Sequence, residues 1–316
     1  MLYRRLGRTD LQVSLLGLGS GGQDPFGQKA GVPEAAIHKL IHRALDLGVN
    51  LFDTARGYLD SELILGRALK EVPRDRYVVM TKLAVVLDEK GTMASPEQIS
   101  LSVEESLERM QISEIDVLLV GGALLGKHHD IFANESLPVL EKLQRQGKFR
   151  FLRATEWSAV DGAHEWLESS LGDGWFDVAM VARNLINQSA ERVVFPTCQE
   201  KDLGVVNIFT VRNVFSQPDR LEEVIADMKK RGVLAEDSCP DENPLGWLLE
   251  GEVDSLPAAA YKFAAADQVV SSVLTGTIDA DELEENVRTV LGPPLSQDKL
   301  ERIRGLFGHI DEAVGN

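Results

Sequence analysis

The chain has 316 residues, 44% of them hydrophobic and without a low-complexity tract, enough to bury a large core in one big α/β domain or two ordinary ones. Its 50 acidic and 33 basic residues give a formal charge of -17, which argues against a nucleic-acid or anionic-membrane partner, since both are held by clustered Lys and Arg. Cys198 and Cys239 lie far apart without CxxC spacing, so neither a disulfide framework nor a zinc site is expected, and a reducing, cytoplasmic setting fits.

The opening stretch, MLYRRLGRTDLQVSLLGLGSGG, places arginines before apolar residues, but Asp10 and Gln12 interrupt the run, so no signal peptide is expected. Nowhere do about 18 apolar residues follow one another, the length a membrane helix needs. LYRRLGRTDLQVS reads as a β-hairpin. Short Val/Ile/Leu-rich runs then alternate with longer segments of helical period. The runs are LLGLG (15–19), VNLF (49–52), YVVMT (77–81), DVLLV (116–120), FRFLRAT (149–155), DVAMVA (177–182), VVNIF (205–209) and VVSSVL (269–274). Amphipathic helices are predicted between them, among others at 34–48, 95–110 and 136–147. Eight strands close a parallel barrel, so a single α/β domain over 1–316 is predicted, a (β/α)8 TIM barrel with the hairpin across its bottom. The segment from about 210 to 262 breaks the rhythm with SQPD, EDSCPDENP and SLP. It is predicted as a long loop before the last strand, either part of the catalytic face or an insertion without function.

LFDTARGYLDSELILG (51–66) carries the first candidate chemistry. Asp53 directly follows its predicted strand, Tyr58 lies in the loop that Asp53 opens, and Lys82 directly follows YVVMT, so all three converge on one barrel face. A tyrosine is a weak acid near neutrality, but an adjacent ammonium favours the phenolate and is expected to lower the Tyr58 pKa, making it a usable proton donor. Asp53 would hold Lys82 charged and in place. The competing possibility is a buried Asp–Lys pair that only braces the barrel, with Tyr58 a rim aromatic.

The wording of these stretches resembles the aldo-keto reductases. GVNLFDTARGYLDSELILGRAL is similar to that family's signature, and VVMTK, SVEESLERMQISEIDVLLV, GKFRFLRATEW and VSSVLTGTIDADELEEN follow in the family's order. The resemblance implies a (β/α)8 barrel binding NAD(P)H across its C-terminal face without a Rossmann glycine fingerprint, and a catalytic tetrad of Asp, Tyr, Lys and His. Asp53, Tyr58 and Lys82 match three of the four. Gly121, in IDVLLVGGALLGKHHD, stands at the histidine position; a glycine offers no side-chain donor, and losing one such donor typically costs ~10²–10³ in rate. His128 and His129 follow in a polar stretch.

The resemblance also implies cofactor contacts from Gly19, Ser20 and Asp53, from Thr155 and Glu156 where the family has Ser-Asn, from Phe209, on which the nicotinamide ring stacks, from Thr210 and Arg212, and from Gly276, Thr277, Glu285 and Asn286 at the adenosine end. Met180 replaces a usual glutamine, and Arg183 a common aromatic. From Ala264 to Val287 there is no Lys or Arg, while Asp279, Asp281, Glu282, Glu284 and Glu285 crowd the adenosine segment. NAD(H) is therefore expected over NADP(H), although those carboxylates also suit a helix start. The implied function is an NAD(P)-dependent oxidoreductase moving a hydride between a nicotinamide and a small-molecule carbonyl or alcohol. If the missing histidine ends catalysis, the chain is instead a cofactor-binding barrel acting as a sensor or regulatory subunit.

Overall fold

The structure is a computed structural model and describes residues 1–88, 91–121, 127–155, 162–251 and 253–314. Two short strands, β1 (Tyr3–Arg5) and β2 (Gln12–Ser14), pair antiparallel with Tyr3 opposite Ser14, forming the predicted hairpin. Eight more follow: β3 (Leu16–Gly19), β4 (Leu51–Asp53), β5 (Val78–Ala84), β6 (Ile115–Gly121), β7 (Phe149–Thr155), β8 (Val178–Ala182), β9 (Gly204–Ile208) and β10 (Ser272–Thr275). They close in the order β10-β3-β4-β5-β6-β7-β8-β9, every pair parallel, as a (β/α)8 barrel.

Each of the eight apolar runs supplies one strand, because barrel strands are buried on both faces and so read as nearly continuous Val/Ile/Leu. Side chains alternate by twos: Val78 and Met80 of β5 join the interior cluster, while Val79 and Leu83 pack outward under the helices. The interior is a filled core of Leu51, Val117, Leu119, Met180 and Val206, which Leu6 and Val13 of the hairpin close from below. Gly7, at φ +52, makes an antiparallel bridge to Leu203 so close that a Cβ would strike the Gly204 backbone.

Strand ends differ from expectation in ways that move the chemistry. β4 includes Asp53 as its last residue, and β5 runs on to Ala84, which makes Lys82 a strand residue of inward parity. β9 stops at Ile208, and Phe209 leaves it in the left-handed region at φ +56.

The predicted helices appear at Glu34–Asp46, Pro96–Met110, with a Ser95/Gln98 capping box, and Leu137–Arg145. The stretch expected to be a long loop before the last strand is partly helical. It contains Asn213–Ser216, Pro218–Lys230 and the start of Leu256–Ala266. Leu221, Ile225 and Met228 pack there with Leu245, Phe263, Ile303 and Phe307 in a second apolar cluster tied to the final helix, Gln297–Phe307.

Candidate active site

Asp53 closes β4 with one carboxylate shared between two cations. Lys82 Nζ donates to Oδ2 at 2.5 Å and to the Thr54 carbonyl at 2.8 Å, while Arg153 Nη2 donates to Oδ1 at 2.7 Å. Burial alone would raise the Asp53 pKa, but the charges and hydrogen bonds of Lys82 and Arg153 prevail and hold it below the ordinary carboxylate range. The Lys82 ammonium is pushed down to about 8, first by burial and also by Arg153, against the pull of Asp53.

Tyr58 is set above this cluster by its loop. Its carbonyl accepts from Ser61 N and from the Gln28 amide, and its ring lies against Gly21, where a Cβ would meet ring carbons at 2.6–2.7 Å. Lys82 Nζ stands 4.6 Å from the ring centroid. Among the described residues the Tyr58 hydroxyl has no hydrogen-bond partner. Contrary to the expectation from sequence, its pKa is raised: burial comes first, the Asp53 charge second, and Arg153 only partly opposes them. The ammonium lies over the ring and gives its hydrogen bonds to Asp53 and Thr54, so it makes none to the phenolic oxygen.

Arg153 was not singled out from sequence. It is fully buried, lies at inward parity between Phe151 and Thr155, and also donates from Nη1 to Met80 Sδ at 2.8 Å. The signal was present: in FRFLRAT an arginine shares the barrel-facing side, and such a charge requires a carboxylate in reach.

A cleft of about 800 Å³ opens over the cluster, with Lys82, Ala84, Leu119 and Thr155 at its base and Val86, Leu87 and Leu101 along one wall. Gly121 ends β6 opposite Ala84 and shares the strand parity of Leu119. The neighbouring histidines make other contacts: His129 bonds Asp173 at 2.7 Å beside Trp175, and His128 lies against Gly91.

Gly19, Ser20, Thr155, Phe209 and Gly276 lie at or just beyond C-terminal strand ends, whereas Glu285 and Asn286 lie within the helix Ala280–Leu291. Gly19 pairs with Asp53; Ser20 N donates to the Asp53 carbonyl at 2.8 Å, and its buried Oγ has no partner. Thr155 ends β7 and makes a long 3.4 Å contact to the Met180 carbonyl; Glu156 lies outside the described residues. Phe209 is 37% exposed, with the Arg212 guanidinium 4.1 Å from its ring centroid, and both line a second cavity of about 340 Å³ with Asn184 and Val314. Burial lowers the Arg212 pKa, and no carboxylate among the described residues pairs with it.

Several hydroxyls and amides already have local partners. Thr210 Oγ1 accepts from Asn207 at 2.6 Å, Thr277 Oγ1 donates to Glu282 at 2.6 Å, and Asn286 Nδ2 donates to Thr275 at 3.2 Å. Gly276 leaves its backbone open, the nearest atom to a Cβ there being the Gly19 carbonyl at 3.9 Å. Glu285 is exposed. Met180 packs inside the barrel, and Arg183 is buried between Phe195 and Phe263 with Glu191 as its ion partner. No group of three metal-ligating side chains occurs among the described residues, and no helix among them is long and apolar enough to cross a membrane.

The profile of the aldo/keto reductase family matches residues 17–307, from within β3 to the last residue of the final helix. This chain belongs to that family. It is 29% identical over 304 residues to L-galactose dehydrogenase of Arabidopsis thaliana, covering 91% of this chain and 87% of that one. It is 30% identical over 222 residues to the NADH-specific methylglyoxal reductase of Escherichia coli, covering 65% of each. The holo form of aldo-keto reductase AKR11C1 from Bacillus halodurans shares the fold, with a TM-score of 0.71 over 100% of this chain and 98% of that one at 24% identity.

Proposed function

We propose that this aldo/keto reductase is a nicotinamide-dependent oxidoreductase that interconverts a carbonyl and an alcohol on a small molecule, with Tyr58 as the group that gives and takes the proton. The observation that carries the proposal is the Tyr58 hydroxyl, without a hydrogen-bond partner among the described residues, beside the Asp53–Lys82 pair, whose Lys82 lines an open cleft. Two curated relatives named for dehydrogenase and reductase activities support it.

The surroundings fit a dinucleotide. Phe209 presents an exposed ring, Arg212 a cation without a carboxylate partner, Ser20 a buried hydroxyl without a partner, and Gly276 an unobstructed backbone. Phe209 and Thr155 would hold the nicotinamide end, Arg212 and Ser20 the phosphates, and Gly276 with Thr277, Glu285 and Asn286 the adenosine end. When bound, the nicotinamide supplies or accepts the hydride.

Tyr58 does the complementary work. It is protonated at neutral pH; burial and Asp53 raise its pKa and make it a weaker acid, so donation to a carbonyl oxygen draws on the Arg153 charge, which opposes that rise. The negative charge then left on the phenol faces Lys82 and, behind it, Arg153. In the alcohol-to-carbonyl direction the proton returns by the same route. Gly121 adds no side-chain donor, so among the described residues proton transfer falls to Tyr58.

NAD(H) is the favoured cofactor. Asp279 caps the helix Ala280–Leu291, Glu282 holds Thr277, and Glu284 pairs with Arg43 at 2.6 Å, so three carboxylates are fixed near the adenosine segment. The name of one relative states NADH specificity. The test is steady-state turnover of a panel of aldehydes, ketones and sugars with NADH and NADPH, and of alcohols with NAD and NADP. Turnover supports the proposal; saturable cofactor binding without turnover of any compound favours a sensor or regulatory barrel.

A further inference from the structure

The buried centre of this site holds more positive charge than a single Asp–Lys pair would leave. Asp53 is one carboxylate between two cations, so Asp53, Lys82 and Arg153 together carry one net positive charge. Arg153 is fully buried, and its Nε has no partner; its fork reaches Asp53 and Met80 Sδ and nothing else polar among the described residues. It is therefore not a surface arginine folded inward, and no second carboxylate cancels it. Among the described residues, Glu62 from the helix Ser61–Leu69 also acts on Lys82, and Arg56, paired with Glu105, lines the same cleft. Glu62 is itself occupied by Thr81 at 2.7 Å and Arg109 at 3.0 Å. β6 brings only the apolar Leu119 to the base of the cleft beside Lys82.

That distribution has a chemical consequence. When a carbonyl is reduced, negative charge develops on its oxygen and on the phenol that donates to it, and a fixed cation in a region of low dielectric stabilises both. A histidine on the β6 side would help there, but Gly121 provides none. We infer that Arg153 is a positioning residue that occupies one oxygen of Asp53, leaves Lys82 only the other, and so supplies together with Lys82 the positive field that position 121 lacks. The inference rests on the proposed oxidoreductase function for its purpose, while the charge arrangement itself stands on the ion-pair geometry. The lowered Lys82 pKa, at about 8, agrees with it.

The arrangement can be read without turnover. Competitive acetylation of the full chain across a pH series, with the Lys82 peptide quantified by mass spectrometry, gives the midpoint at which this amine loses its proton. In the parent the midpoint is expected near 8. In Arg153→Met, Asp53 serves Lys82 alone and the midpoint should rise, an increase of roughly tenfold or more in proton affinity. Arg153→Lys restores a second cation and should bring it back down. Where a carbonyl substrate is turned over, the alkaline limb of reduction should move with the midpoint in all three proteins. An unchanged midpoint in a natively folded Arg153→Met overturns the inference. So does a parent midpoint in the ordinary lysine range, which decides the matter even if the methionine variant does not fold. Shifts as described in a chain that turns over no compound would instead sink the proposed function and leave the charge arrangement standing.

Discussion

Removing the Tyr58 hydroxyl separates catalysis from stability more cleanly than any other change at this site. The hydroxyl has no hydrogen-bond partner among the described residues, and phenylalanine keeps the ring carbons that lie nearest Gly21 and the ring face under Lys82. Tyr58→Phe should therefore leave folding stability within about 0.5 kcal/mol of the parent. Carbonyl reduction should fall much further. A positioned general acid contributes ~10²–10⁴ in rate, or about 3–5 kcal/mol of barrier, and no second donor comes from Gly121 to take over. The loss should appear in kcat and kcat/KM alike, with cofactor affinity unchanged, because the phenol acts only where the proton moves. The assay pairs steady-state kinetics with urea denaturation and a cofactor titration. Retained turnover would remove Tyr58 from the mechanism, and a loss of several kcal/mol of stability would show that the hydroxyl braces the loop instead.

Lys82 makes stability depend on pH with a definite sign. Its folded pKa, about 8, lies below the ordinary lysine value of 10.5, so between the two the unfolded chain binds more protons and stability rises with pH. Relative to Lys82→Met, the parent should gain about 1–2 kcal/mol between pH 7 and pH 9.5 in urea denaturation, and a pH-independent difference would refute this. Gly121→His, at the β6 end opposite Ala84, should raise reduction of simple aldehydes by up to ~10² by adding a donor; a variant indistinguishable from the parent on every compound would mean that position 121 does not face the carbonyl. NADH should bind at least as tightly as NADPH, since each carboxylate brought to ~4 Å from the extra phosphate costs roughly 1 kcal/mol even in water. Fluorescence titration at fixed ionic strength checks this, and NADPH binding more than about tenfold tighter would mean that a cation such as Arg212 or Arg288 reaches the phosphate.

The barrel was legible because both faces of each strand are apolar, and the charged residues Asp53 and Lys82 stand out at the ends of such runs. Arg153 did not stand out. It alternates with Arg150 in a run that reads as an ordinary half-exposed strand, and the carboxylate that explains it lies 100 residues away in sequence. The direction of the Tyr58 shift was equally hidden, because it depends on where Lys82 Nζ points, over the ring or at the oxygen, and spacing along a chain does not encode that. The helix Pro218–Lys230 was masked by proline- and aspartate-rich flanks that resemble a loop, although a proline at its first position is itself a helix start. Phe209 reads from sequence as the last residue of its strand, whereas β9 stops at Ile208. Its left-handed backbone and its contact with Arg212 come from the turn that follows, not from local propensity.

That this chain moves a hydride while Tyr58 moves a proton is open to a direct measurement of isotope transfer. NADH deuterated at the transferring position of the nicotinamide is incubated with the parent and with Tyr58→Phe over the aldehyde, ketone and sugar panel, and the products are read by mass spectrometry. The account predicts deuterium on the carbinol carbon of at least one product with the parent, and its near disappearance in Tyr58→Phe at equal cofactor saturation. Saturable NADH binding with no deuterium in any product, or equal transfer by both proteins, would contradict it.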